Sequence, residues 1–343
     1  MVYNQNMDKT RQDKIKEIAK LRGNSKVITY LTSDRAPLNT QIADDAVSIL
    51  QRHIANGEKK DKISLFLYTR GGQMMAPLRI VNLLRSYSTN FEILIPQFAH
   101  SAGTLLSLGA DTIVMTKLSE LSPVDPTMTH PFNPTINQPN PSLPVQPKPI
   151  SVEDVNSYFL YAKDKIKLRP EDMEKVYSYL INNIHKDNTI HPISLGSVYR
   201  GYRMAKMLAE RMLKFHTKGL FAGLRISKIV NALTGKIPNH DYPIYRDEAK
   251  GLGLKIEYAS ETLEGEMLNL LKLYTDIFGT DKPFNPVEIL GSNNEKEFES
   301  KGAFIESEGL SDEFIFRGKI IKENVTPSRV GMNIISAKWE TFN

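Results

Sequence analysis

Two short loops hold the residue types best suited to chemistry. Thr69-Arg70-Gly71-Gly72 follows the apolar run Ile63 to Tyr68, and His100-Ser101-Ala102-Gly103 follows Phe91 to Pro96. The glycines leave backbone N–H groups unobstructed by side chains, and the second loop offers a hydroxyl. A serine hydroxyl is a poor nucleophile until an adjacent base takes its proton, and the oxyanion formed on attack needs donors about 2.7–3.1 Å away. The pairing therefore suggests Ser101 as a nucleophile beside an oxyanion hole. If Ser101 opens a helix, it gains the helix N-terminus and the following amide, that of Ala102. Ser is also favoured at helix caps for its own reasons, and Gly71-Gly72 is also suited to a strand-to-helix turn.

The elements that must position these loops follow from periodicity. Met74 to Tyr87 places Leu78, Val81 and Leu84 at helical spacing, so the segment reads strand, Gly-Gly turn, helix, strand, Ser turn, helix. Both turns then lie outside the carboxyl ends of neighbouring parallel strands, where open α/β sheets bind ligands. Before them come a charged helical lead (Asp8 to Arg22), a strand at Lys26 to Leu31 and an amphipathic helix at Thr40 to Ile54; Thr112 to Met115 continues the alternation. Nine prolines between Pro123 and Pro149 rule out helix or central strand there and predict an extended loop. Helices are predicted at Val152 to Lys167, Glu171 to Ile184 and Ile193 to Lys214, the last with Pro192 at its first position and His191 as cap. Beyond Thr262 come a Leu-rich helix, Pro/Asn/Gly-rich turns and short strands at Phe314 to Ile321 and Val330 to Ile335.

Composition narrows the chemistry. Zero cysteines exclude disulfides, a thiol nucleophile and Cys-ligated zinc. None of the seven histidines has H-E-x-x-H spacing, so no metal and no cofactor is expected. The 44 basic and 39 acidic residues are well mixed, which makes the net charge of +5 a solvated surface and not a nucleic-acid footprint. No stretch approaches the roughly 18 apolar residues of a membrane span, and Met1 to Lys26 is charged where a secretory segment would be apolar. The expected address is cytoplasmic, with no membrane anchor. No G-x-x-x-x-G-K-[ST] occurs, so ATP binding is not expected within the chain.

Five ordered blocks resemble the serine dehydrogenase proteinase family: Thr69 to Gly72, His100 to Leu105, Gly109 to Met115, Leu121 to Pro126 and His240 to Ile244. The family belongs to the Clp/crotonase fold, with the Clp protease proteolytic subunit and signal peptide peptidase A. The resemblance covers roughly residues 25–256. It implies an α/β fold with a Clp/crotonase-like ββα spiral core and inserted helices, a homo-oligomer, and a serine peptidase acting on peptide or protein substrates. The chain accordingly divides into a helical lead (1–24), the peptidase domain (25–262) and a C-terminal extension of unknown function (263–343). Carried over by position, Ser101 matches the nucleophile, Gly71 and Gly72 match the oxyanion turn with Ala102 as second donor, and Asp241 is placed like the triad acid. Where the Clp subunit has its histidine, this chain reads Val124-Asp125-Pro126, which leaves the base open among three residues. His191, in an Ile-His-Pro setting similar to the family's, comes first, since a helix N-terminus keeps an imidazole neutral. Lys148, similar to the lysine of Ser-Lys relatives, comes second and requires burial. His130, nearest in chain to the Clp histidine position, comes third. An unfoldase partner has no support in the sequence. The rival readings are a catalytically silent Clp-fold scaffold or interaction protein, and a crotonase-like acyl-CoA enzyme that turns the same oxyanion device on a thioester.

Overall fold

The apolar runs that frame the two loops become the middle of one sheet. The computed structural model describes residues 2–54, 60–136, 146–182, 191–237, 239–323 and 329–342. These fall into two compact units, one of residues 1–122 with 243–343 and one of residues 123–242. The first unit begins with α1 (Val2–Leu21), β1 (Lys26–Thr32), α2 (Ala46–Ile54), β2 (Ile63–Tyr68), α3 (Ala76–Tyr87), β3 (Phe91–Ile95), β4 (Phe98–Ala99), α4 (Ala102–Ser107), β5 (Thr112–Met115) and β6 (Glu120–Leu121). Every residue of β2 and β3 is buried, as expected of parallel strands covered on both faces. The helix predicted from Thr40 starts only at Ala46, because Ile42 forms a parallel bridge with Gly72.

The second unit holds two short ladders, β7 (Thr127–Met128) with β10 (Ile150–Ser151) and β8 (Thr135–Ile136) with β9 (Gln146–Pro147). Part of the proline-rich stretch, 137–145, lies outside the described residues. Then come α5 (Val152–Asp164), α6 (Pro170–Asn182), α7 (Pro192–Lys214) and α8 (Ala222–Asn231), the last running into a π-helical turn at Ala232–Lys236. The end of the helix expected to reach Ile184 lies outside the described residues. Ser151 caps α5 by accepting the N–H groups of Glu153 and Asp154. Ile150, Val152 and Val198 form a small core of this unit's own.

The chain then returns to the first unit through β11 (Ile244–Tyr245), α9 (Arg246–Leu252), β12 (Ile256–Tyr258), α10 (Glu261–Phe278), α11 (Pro286–Leu290), β13 (Glu295–Ser307), β14 (Leu310–Glu323) and β15 (Arg329–Phe342). One eight-stranded sheet results, in the order β12-β5-β3-β2-β1-β13-β14-β15. It is parallel from β12 to β1 and antiparallel from β1 through β15, a mixed α/β architecture. Residues 263–343 thus supply three strands of the same sheet, with β13 paired along β1 from Thr32 to Ile28. Ile15 and Ile18 of α1 pack with Met267, Leu270, Tyr274 and Phe278 of α10 over Val27, Phe66, Leu94 and Val114. A smaller sheet, β11-β6-β4, lies at the carboxyl ends of the central strands and is continued by the Thr69–Ala99 bridge.

Candidate active site

The structure brings the two loops of the sequence together. A Cβ placed on Gly71 would lie 3.0 Å from Ser101 Cβ and 3.5 Å from Ser101 Oγ, so glycine permits the approach. Gly71 has φ +126, a conformation that side chains disfavour. Ser101 has φ 49 and ψ −107, a strained position directly before α4. Ser122, the residue just after β6, holds that strain in place. Ser101 N–H donates to Ser122 Oγ at 2.8 Å, and Ser122 N–H in turn donates to Thr104 Oγ1 at 3.0 Å. Thr104 Oγ1 also reaches the Ser122 carbonyl at 2.9 Å, so the first turn of α4 grips the loop that fixes Ser101.

Gly72 is fixed by backbone. Ile42 N–H donates to Gly71 O and Gln73 N–H to Ile42 O, both at 2.8 Å, and a Cβ on Gly72 would stand 2.1 Å from Ile42 O. Alternation along an extended chain then turns the Gly72 N–H away from Ile42. Gly71 N–H is taken by Thr69 Oγ1 at 3.1 Å. Among the described residues, neither Gly72 N–H nor Ala102 N–H is hydrogen-bonded. The two amides flank the loop contact at Ser101.

Two residues beside this site carry a role that the loop motifs alone do not announce. His100 Nε2 lies 3.0 Å from Glu120 Oε1, and its Nδ1 faces Arg70 Nη1 at 3.5 Å. Burial raises the Glu120 carboxyl above its ordinary range, against the pull of Arg70 and a hydrogen bond from Tyr245. Arg70 stacks over the Phe98 ring at 3.6 Å and pairs with Asp34 at 3.2 Å. The chain Asp34-Arg70-His100-Glu120 therefore ties the Gly-Gly loop to the serine loop. The sequence signal was the adjacency of His100 to Ser101 and of Glu120 to the Leu121–Pro126 block; nothing in their spacing paired them.

The residues considered for the base, and Asp241, all lie in the second unit, whereas Ser101, Gly71, Gly72 and Ala102 lie in the first. His191 caps α7, its Nδ1 accepting the Ile193 N–H at 3.2 Å. His130 Nδ1 likewise accepts the Phe132 N–H at 3.2 Å. A neutral imidazole so engaged carries its proton on Nε2, where it can donate but not accept. Both rings pack at a tilt against Phe132, with centroids at 5.3 Å for His130 and 4.6 Å for His191. The Lys148 side chain is exposed, without the burial that a lysine base requires. Asp241 is exposed in a turn where its N–H donates to Asn239 Oδ1 at 2.9 Å. Among the described residues, no hydrogen bond is made by Ser101 Oγ.

A second serine, histidine and aspartate do meet, away from these loops. His53 Nδ1 is 2.9 Å from Ser307 Oγ and its Nε2 2.9 Å from Asp312 Oδ2. Ser307, His53 and Asp312 are 1%, 2% and 0% exposed, so no substrate reaches them and the chain is structural. Among the described residues, no group of three or more His, Asp or Glu side chains could hold a metal ion, and no helix is long and apolar enough to cross a membrane.

Comparison with known proteins bears on the same region. Residues 1–142 match the family model described as ClpP-like SDH-type serine proteinase. The chain is 26% identical over 231 residues, 67% of its length, to the uncharacterized protein MJ0137 of Methanocaldococcus jannaschii, and spans 64% of that relative, less than two thirds. It is 23% identical over 293 residues to the uncharacterized protein MJ1495 of the same organism, covering 84% of each chain.

Proposed function

Because its first 142 residues belong to the serine dehydrogenase proteinase family of ClpP-like serine proteinases, we propose that this chain hydrolyses peptide bonds through an acyl-enzyme on Ser101. The observation that carries the reading is the strained Ser101, with φ 49, set against Gly71 and flanked by the unclaimed amides of Gly72 and Ala102. In this reading Ser101 Oγ loses its proton to a base and bonds to the scissile carbonyl carbon. The oxyanion is received by Gly72 N–H and Ala102 N–H. The intermediate collapses as the amine leaves with the proton, and water, deprotonated by the same base, releases the acid and frees Ser101. The base comes from His191, Lys148 or His130, with Asp241 as the acid that orients a histidine. A histidine serves only after its Nδ1 gives up the backbone N–H that it now accepts. The parallel strands with short strands at their carboxyl ends are read here as the ββα spiral of the Clp/crotonase fold, assembled into a homo-oligomer.

One observation favours a second reading, the silent scaffold: both candidate histidines have Nδ1 engaged by a backbone N–H, and Lys148 is solvated. A fluorophosphonate probe separates the readings. Labelling of the wild type that disappears in Ser101→Ala supports the peptidase; no labelling, or equal labelling of both, supports the scaffold. Thioesterase activity that survives Ser101→Ala would instead indicate a crotonase-like acyl-CoA enzyme.

A further inference from the structure

The segment from Arg211 to Lys236 contains six Lys and Arg residues and no Asp or Glu. Within it Leu220, Phe221 and Leu224 are 92%, 70% and 72% exposed. They occupy the turn after Gly219 and the first turn of α8, while Ile226, Ile229 and Val230 bury the opposite side of that helix. At 100° per residue, Lys228 falls on the same face as Leu224, one turn on, and Arg225 falls on its flank; Lys218 precedes the apolar tip. Lone exposed apolar residues are ordinary, but three at one tip, in a stretch of chain that carries six cations and no acid, are not.

We propose that this tip docks on an anionic lipid surface. Apolar side chains framed by Lys and Arg match the boundary between acyl chains and charged headgroups, where the side chains enter and the cations meet phosphate and carboxylate. A second copy of the chain fits worse, since a two-fold contact at the tip would bring its cations against themselves. The lipid contact is a surface attachment and not a span, and it is independent of the chemistry at Ser101.

Co-sedimentation of the full chain with vesicles tests it. Wild type is expected to pellet with vesicles of equimolar phosphatidylcholine and phosphatidylserine, to stay in solution with phosphatidylcholine alone, and to bind less as salt rises. Leu220→Asp/Phe221→Asp/Leu224→Asp should abolish pelleting with an unchanged melting curve. Lys218→Gln/Arg225→Gln, which leaves the apolar tip intact, should weaken it by roughly fivefold per cation removed. Fluorophosphonate labelling of Ser101 should be the same in all three proteins. The proposal is overturned if wild type does not pellet with the anionic vesicles or if both variants pellet as wild type does. It is also overturned if sedimentation velocity finds a self-association that Leu220→Asp dissolves, because the tip would then be covered by another copy.

Discussion

Ser101 is held in a conformation worth about 1–3 kcal/mol of strain, and its neighbours keep it there. Ser122 is the plainest of them, because its Oγ accepts the Ser101 N–H at 2.8 Å. Ser122→Ala leaves that amide without its acceptor, and the turn gains freedom to relax. Fluorophosphonate labelling should slow about tenfold, the equivalent of ~1.4 kcal/mol, in a protein that still folds. Labelling at the wild-type rate would show that the turn does not need this bond. Gly71→Ala acts more directly, since its Cβ would press on Ser101 Cβ at 3.0 Å from a backbone with φ +126; labelling should fall further than in Ser122→Ala, measured in the same assay. Ser101 and Gly71 were legible in sequence because each follows an apolar run and precedes a helical one. His100 and Glu120 were not read as a pair, because β4 and β6 bring together residues that no local pattern connects.

At the scale of elements, the parallel strands and their helices were readable from continuous apolar runs and 3.6-residue spacing, and α7 begins at Pro192 with His191 as cap, as read. The sheet's antiparallel half was not readable as part of the same layer. Strand β13 starts with exposed charged residues, and Glu306, Asp312 and Glu313 are buried acids that an apolar pattern does not anticipate. They are buried because partners far away in sequence meet them. Arg11 of α1 donates to Glu306 at 2.9 Å, Ser311 Oγ to the same carboxylate at 2.6 Å, and Lys301 pairs with Glu313 at 2.6 Å. Arg11 also lies over the Tyr274 and Phe304 rings, so one network clamps α1, α10 and β13. Glu306→Ala leaves a buried guanidinium without its main carboxylate and should cost about 3–5 kcal/mol. Urea denaturation measures the loss, and a change below about 1 kcal/mol would show that Glu313 takes over Arg11 without penalty.

For the molecule as a whole, the consequence of closing the first unit with its C-terminal strands is a stability that depends on pH through a buried histidine. His53 on α2 sits between Ser307 of β13 and Asp312 of β14, and burial lowers its pKa despite the attraction of Asp312. Arg52 already donates to the other Asp312 oxygen, at 2.5 Å, so the carboxylate does not depend on an imidazolium for its counter-charge. The bonds suit a neutral ring, with Nδ1 accepting from Ser307 and Nε2–H donating to Asp312. In the unfolded chain the imidazole returns to an ordinary pKa near ~6.5. As pH falls below that value the unfolded state binds the proton first, so the native state loses stability, by up to about 1.4 kcal/mol per pH unit, until the folded pKa is reached. Glu313, raised by burial, works in the opposite sense, because the native state takes its proton first. The difference between wild type and His53→Gln removes that contribution. Urea midpoints measured from pH 7.5 to 5 should therefore fall more steeply for wild type than for His53→Gln, and parallel curves would mean that the His53 pKa is the same in the folded and unfolded states. Such acid lability would reach the loops as well, since β1, which pairs with β13, lies next to β2, the strand that leads into Gly71.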